Sequence, residues 1–153
     1  MGIEFKVRRA SPGDAAQLQQ TCWGNWPLEV VSEALERVEL LAKQGRGFAV
    51  VACQGQHILG YGQMTVWPRA AEISDLIVAP SFRDNGIGTA IIAYLVDKIR
   101  AWHLPRVEIG AASSNPRALA LYRRLGFRDD RTVALDLGHG PEVVVYLVMD
   151  LDI

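Results

Sequence analysis

Cysteine is scarce in this 153-residue sequence: Cys22 and Cys53 stand far apart and outside any Cys-x-x-Cys spacing. That excludes a disulfide framework and a thiol redox motif, and it suits a reduced, cytoplasmic protein. The three histidines, His57, His103 and His139, are scattered, so no ligand spacing supports a metal and none is expected. Charge of one sign is also lacking, since 16 basic against 17 acidic side chains leave a formal charge of −1. Non-specific nucleic-acid binding rests on an excess of Lys and Arg, so no nucleic-acid partner is expected. No signal-peptide-like segment and no apolar run long enough to cross a bilayer occur, so no membrane partner is expected either. Repeats, low-complexity tracts and linkers are missing. What is present is an ordinary globular balance, half hydrophobic and 22% charged. The length suits one domain, residues 1–153, able to bury a proper core.

Along the chain, Ile3 to Arg9 alternates as a first strand. Ser11-Pro12-Gly13-Asp14 then has the form of a helix start, with an N-cap, a first-position proline and an acid in the first turn. That helix ends around Cys22 to Gly24. Pro27 opens the next, Leu28 to Lys43, whose Val31, Leu35, Val38 and Ala42 recur at helical spacing. Glu29, Glu33 and Glu36 share another face, and Glu33–Arg37 and Glu39–Lys43 have the (i, i+4) spacing of salt bridges. Phe48–Cys53 and Ile58–Trp67 form a hairpin over Gln54-Gly55-Gln56. Ala71 to Ala79 is a further strand. A helix from Gly86 to Trp102 buries Ile87, Ala90, Ile91, Tyr94, Leu95 and Ile99, and Pro105 stops it. Arg106–Ala112 is a short strand, Asn115-Pro116 caps a helix that closes at Gly126, and strands Phe127–Leu137 and Glu142–Leu151 flank a Gly138-His139-Gly140-Pro141 turn. The order β-α-α-β-β-β-α-β-α-β-β predicts an α/β (α+β) fold, a mixed sheet covered by helices.

The stretch from Ser81 to Ala90 joins a strand to a helix through Arg83-Asp84-Asn85-Gly86-Ile87-Gly88. Free N–H groups at a helix start, the helix dipole and small glycines together suit an anion, and a diphosphate above all. A Walker loop fails because no lysine follows Gly88. A dinucleotide fingerprint fails because the bulky Ile91 stands where a third glycine belongs. What fits is Arg/Gln-x-x-Gly-x-Gly/Ala, matched by Arg83, Gly86 and Gly88.

With the second stretch Asn115-Pro116-Arg117-Ala118-Leu119-Ala120-Leu121-Tyr122-Arg123-Arg124-Leu125-Gly126-Phe127, in this order and separation, the sequence resembles the GNAT superfamily of acetyl-CoA-dependent N-acetyltransferases. Both motifs lie within Glu72 to Phe127, and the element order fits along the whole chain. The resemblance implies a mostly antiparallel central sheet splayed around the cofactor and flanked by about four helices. It implies acetyl-CoA as co-substrate, with backbone groups of Leu76, Ile77 and Val78 pairing with the pantetheine arm like an added strand. Arg83 and the N–H groups of Asp84, Asn85, Gly86, Ile87, Gly88 and Thr89 would cradle the diphosphate. Asn115 would meet the pantetheine arm, beside its plain reading as an N-cap.

The chemistry implied is direct attack by a primary amine on the thioester in a ternary complex. An alkylamine of pKa about 10 must first lose a proton, and the departing thiolate takes one up. Tyr122 occupies the family's position for that acid; its alternative is core packing. For the base the candidates are Asp75 and Glu72, which strand alternation puts on opposite faces. Polyamine-acetylating relatives often carry an acid where Ser74 stands, and ribosomal-protein N-terminal acetyltransferases a Glu where Gly110 stands; both departures weigh against carrying either substrate over. Trp23, Trp26 and Trp67 fall where such folds build the acceptor pocket, and aromatic walls suit cationic amines. The acceptor is a small amine or a peptide, and members are often homodimers. Two alternatives stand beside this reading: a non-catalytic acyl-CoA-binding regulatory module, and a protein lysine or N-terminal acetyltransferase.

Overall fold

A computed structural model describes residues 3–136, 138 and 140–151. Leu137 and His139, assigned above to a strand end and a turn, lie outside the described residues. The elements follow the order read from the sequence: β1 (Lys6–Arg9), α1 (Ala15–Thr21), α2 (Leu28–Lys43), β2 (Gly47–Gln54), β3 (His57–Trp67), β4 (Ala70–Val78), α3 (Ile87–Ala101), β5 (Arg106–Ala112), α4 (Pro116–Arg124), β6 (Arg128–Asp136) and β7 (Pro141–Asp150). The strands form one sheet in the order β1-β2-β3-β4-β5-β7-β6. Among the described residues only the β4–β5 pairing is parallel.

Strand alternation sorts the sheet residues to two cores. Phe48, Val50 and Ala52 of β2 face α3 together with Leu59 and Met64 of β3. Their neighbours Ala49, Val51, Ile58 and Tyr61 face α1 and α2. In α2 the buried stripe is Val31, Leu35 and Val38, with Ala42 at its half-buried end. In α3 it is Ile87, Ile91, Ile92, Leu95, Val96 and Ile99. Tyr94 differs from its expected burial: it is 37% exposed and stacks on Phe48 at the sheet margin. The α2 acids also differ from expectation. Glu39 bonds Arg9 of β1 at 3.2 Å, and neither (i, i+4) ion pair forms among the described residues.

Ser11 and Pro12 start a 3-10 turn, not α1 itself. Asp14 there is buried and takes two bonds from Arg8, at 3.0 and 2.9 Å, and one from the Ser11 N–H. Burial pushes its carboxyl up, but Arg8 and Ser11 outweigh that and hold it below its ordinary value. The start of α1 is thereby tied to β1. Among the described residues no helix is long and apolar enough to cross a membrane.

Two features of β4 shape the middle of the sheet. First, Tyr61 pairs with Ile77 but Gln63 with Ser74, so Gly62 faces both Asp75 and Leu76 in a β-bulge. Asp75 takes φ 53 to make it. Second, β4 pairs with β5 only over Ala71–Ile73. Beyond Ile73 and Ile109 the strands part, and β5 continues along β7.

Candidate functional site

The parting of β4 from β5 leaves the far side of Ser74–Val78 without a neighbouring strand, while β3 still pairs its other side. A cavity of about 770 Å³ opens there, lined by Leu76, Ile77 and Val78 on one wall. The loop before α3 and the first turn of that helix supply Arg83, Asp84, Gly86, Ile87, Gly88 and Thr89, and α4 with its N-cap supplies Asn115, Arg117, Leu121, Tyr122 and Arg124. Ten of the eleven residues assigned above to cofactor binding therefore meet at one cavity. The eleventh is Asn85. Its side chain turns back into the loop, donating to the carbonyls of Phe82 and Arg83 at 3.1 Å each, and so braces the cradle from behind.

The glycines of the loop act differently. Gly86 is the N-cap of α3 at φ 79, a left-handed conformation that costs other residues about 1 kcal/mol or more. Gly88 is helical, and a Cβ built on it would lie 3.8 Å from Leu121 and 3.9 Å from Val78. Those two residues line the cavity, so the missing side chain is part of its space. The first helical bond of α3 runs from Ala90 to the Gly86 carbonyl, which leaves the N–H groups of the first turn without helical partners. A free strand edge, a set of free N–H donors and three arginines fit an extended ligand ending in phosphates.

Asn115 caps α4, its Oδ1 accepting from the Ala118 N–H at 3.2 Å, and also lines the cavity. The other end of α4 explains Tyr122. Gly126 at φ 104 closes the helix; the Phe127 N–H bonds the Tyr122 carbonyl at 3.0 Å and the Gly126 N–H that of Arg123 at 3.1 Å. This is a Schellman close, and its usual apolar contact is the Tyr122–Phe127 ring pair, 6.4 Å between centroids. Tyr122 is 6% exposed, yet no buried side-chain oxygen lacks a partner among the described residues. Its hydroxyl has no partner among the described residues and so opens to the cavity. Burial pushes its pKa up to about 12, which keeps the phenol protonated at neutral pH.

On the opposite face of the sheet the bulge changes the alternation expected for β4. Ile73, Leu76 and Val78 pack on the α3 side and Ile77 on the α1–α2 side. The Asp75 charge is felt by the buried Tyr61 phenol of that second side. Glu72 likewise acts on Tyr146, which stands over Gly110 on the face away from α3. Asp75 and Glu72 thus look to one face, against the expectation of two, because the extra residue resets the period. Withdrawal from water pushes the Asp75 carboxyl up from its ordinary value, although the residue as a whole remains exposed. Burial first, and then Asp75, push the Tyr61 phenol well up, and its hydroxyl donates to Gln63 Oε1 at 2.7 Å.

The three tryptophans do not make one pocket. Trp23 packs edge-on to Tyr61, centroids 5.0 Å apart, which places it by the Asp75 end. Trp26 is 56% exposed. Trp67 lies six residues along β3 from Tyr61, about 20 Å away at the strand's rise. The hairpin geometry separates them. Trp67 instead donates to Glu72 Oε1 at 2.9 Å and lines a second, open cavity of about 550 Å³ with Glu72, Glu108, Arg131 and Tyr146. There Arg131 bonds Glu108 and Asp130, and lies 4.6 Å from the Tyr146 ring centre. Sequence reasoning missed Glu108, Arg131 and Tyr146. The usable signal was the alternation of β5, β6 and β7, which puts Glu108, Arg131 and Tyr146 on one face.

Among the described residues no three His, Cys, Asp or Glu side chains converge on a metal position. Both cysteines are free. Burial pushes the Cys22 thiol up against a weaker opposing bond from Thr21, so it is no ready nucleophile.

Known proteins share this architecture. A Salmonella typhimurium acetyltransferase that modifies the N-terminal serine of ribosomal protein L7/L12 superposes with a TM-score of 0.85 at 19% identity, over 97% of this chain and 95% of that one. A second Salmonella typhimurium protein, described as an acetyltransferase and solved with its cofactor acetyl-CoA, gives 0.80 at 18% identity over 98% and 95%. At such identities the likeness is one of fold. An uncharacterised N-acetyltransferase of Methanocaldococcus jannaschii is 33% identical over 132 residues, 86% of this chain and 56% of that protein. The chain thus spans about half the length of that relative. The family model described as Acetyltransferase (GNAT) family matches residues 14–127, a span holding the loop, the splayed strand and α4, and the chain belongs to that family.

Proposed function

We propose that residues 1–153 act as one N-acetyltransferase domain, moving acetyl from acetyl-CoA to a primary amine by direct attack in a ternary complex. The observation that carries this is the parting of β4 from β5 after Ile73 and Ile109. It opens an unpaired strand edge onto a cavity that reaches from the glycine loop to Tyr122. In this reading Leu76, Ile77 and Val78 pair with the pantetheine arm, and Asn115 meets it from α4. Arg83 and the first-turn N–H groups take the diphosphate, and the Thr89 hydroxyl adds a bond. A strand N–H near Val78 receives the charge that grows on the thioester oxygen. Tyr122 gives its proton to the departing thiolate.

Asp75 takes the amine proton, directly or through water. Its raised carboxyl is a stronger base than an ordinary aspartate, whereas the Glu72 carboxylate already accepts from Trp67. The acceptor then approaches from the face away from α3, with Trp23 near the base and the Glu72–Tyr146 cavity open to the rest of the molecule. An open groove suits a peptide terminus as well as a small amine, and the superposable L7/L12 enzyme acts on a protein N-terminus.

Coenzyme release is the test, measured over a panel of amines and N-terminal peptides with wild type and Tyr122→Phe. Transfer by the wild type, a tenfold or larger drop in kcat for the variant and acetyl-CoA affinity within about threefold support the reading. Tight acetyl-CoA binding with no transfer to any acceptor would favour a regulatory acyl-CoA module instead.

A further inference from the structure

One side chain in the proposed coenzyme cavity has the wrong sign for a diphosphate. Asp84 stands two residues before Gly86, at φ 65, and lines the cavity. From the opposite wall Arg117, in the first turn of α4, donates from Nη2 to Asp84 Oδ1 at 2.5 Å. The two side chains are 72% and 76% exposed. Both stand mostly in solvent, and their charges join the loop to α4 across the opening.

We infer that Asp84 is an intramolecular competitor for Arg117, holding its guanidinium until a diphosphate takes it over. This rests on reading the cavity as the acetyl-CoA site. A guanidinium forks onto a carboxylate or a phosphate with equal geometric ease, and the more highly charged diphosphate is the stronger partner. An exposed ion pair is weak enough to exchange. The Asp84 carboxylate would also repel a diphosphate bound in the cavity it lines, at a range shorter than the Debye length and so largely unscreened. Both effects lower the affinity for the whole coenzyme and speed its departure. Product release limits many enzymes, so Asp84 trades grip for turnover, a positioning residue that acts through Arg117.

Coenzyme A and acetyl-CoA would be titrated calorimetrically into wild type, Asp84→Asn, Arg117→Gln and the double variant at 50 and 200 mM salt, with release followed by stopped flow. Asn tolerates a left-handed φ, so the loop persists, and Arg117→Lys serves as a control that keeps the charge. Asp84→Asn is expected to tighten both ligands three- to tenfold, to slow release by a similar factor and to steepen the salt dependence. Arg117→Gln is expected to weaken binding more in the Asp84→Asn background than in wild type, where Asp84 already occupies the cation; Arg117→Lys should recover part of that loss. Unchanged or weaker binding by Asp84→Asn, or equal Arg117 effects in the two backgrounds, overturns the competition while leaving the coenzyme site in place. A wild type that binds neither ligand removes the coenzyme site and the competitor together.

Discussion

The ring of Tyr146 stands over Gly110: a Cβ placed on Gly110 would lie 3.0 Å from Tyr146 Cε1 and 3.3 Å from Val144 Cγ1. The two residues face each other in register on β7 and β5. The phenol thus occupies the volume that a longer β5 side chain would need. A carboxylate set there has to push the ring aside by a few tenths of an ångström. Gly110→Glu is expected to lower stability by about 1–3 kcal/mol through overpacking, a fall in melting temperature of roughly 3–10 °C for a chain of this size. Adding Tyr146→Ala should recover part of it. A single variant that melts like wild type would mean that the ring moves aside freely.

Asp75 predicts a trade between stability and turnover. Its carboxyl is raised in the folded protein by loss of water. An acid raised on folding contributes stability that is fully present below its unfolded pKa and is lost as pH rises through the folded value. At neutral pH the charged form is therefore the less stable one. Asp75→Asn keeps the shape and tolerates the left-handed φ of the bulge. It should melt at or above the wild-type temperature, with the gap widening between pH 4 and 7, while kcat falls at least tenfold. In wild type the acid limb of the rate profile should lie above the ordinary aspartate range. Full activity in Asp75→Asn would remove Asp75 as the base.

The order of elements was legible because turns, caps and apolar periods agree locally: Pro27 before α2, Asn115-Pro116 before α4 and Gly126 after it each sit where the chain changes direction. The residues that line the first cavity, proposed above as the coenzyme site, were legible for the same reason, since they come from two continuous stretches. The second cavity was not. Glu72, Glu108, Arg131 and Tyr146 come from four strands, and only sheet order brings them together. The bulge at Asp75 was hidden because no glycine or proline marks it.

A second overlooked signal lies in β3, where Gly60 and Gly62 point to one face. A Cβ on Gly62 would come 2.6 Å from Ile91 Cγ2, and one on Gly60 2.9 Å from the Ile77 carbonyl. These glycines let α3 settle against the strand and so fix the height of the loop that precedes it. Ile91 is fully buried and its γ-branch has no room to turn. Gly62→Ala is accordingly expected to cost about 1–3 kcal/mol, read as a lower denaturation midpoint at unchanged slope, and to weaken acetyl-CoA as α3 shifts. Unaltered stability would mean that α3 is not seated on β3 at this point.

The two loop glycines separate backbone demands from ligand demands within three residues. Gly86 has open space around its Cβ position but a left-handed φ; Gly88 has ordinary helical backbone but borders the cavity beside Val78 and Leu121. An alanine at Gly86 meets no atom, so its cost is conformational, about 1 kcal/mol. An alanine at Gly88 enters the first turn of α3 without strain and removes backbone entropy from the unfolded chain, worth up to about 0.5–1 kcal/mol in its favour. Their effects should cross: Gly86→Ala melts lower, whereas Gly88→Ala melts at or slightly above wild type yet loses acetyl-CoA affinity, and Gly88→Val loses more. Paired melting curves and calorimetric titrations would decide it. If Gly88→Val still bound acetyl-CoA as tightly as wild type, the diphosphate would have to lie elsewhere, because no phosphate oxygen could approach the backbone past that side chain.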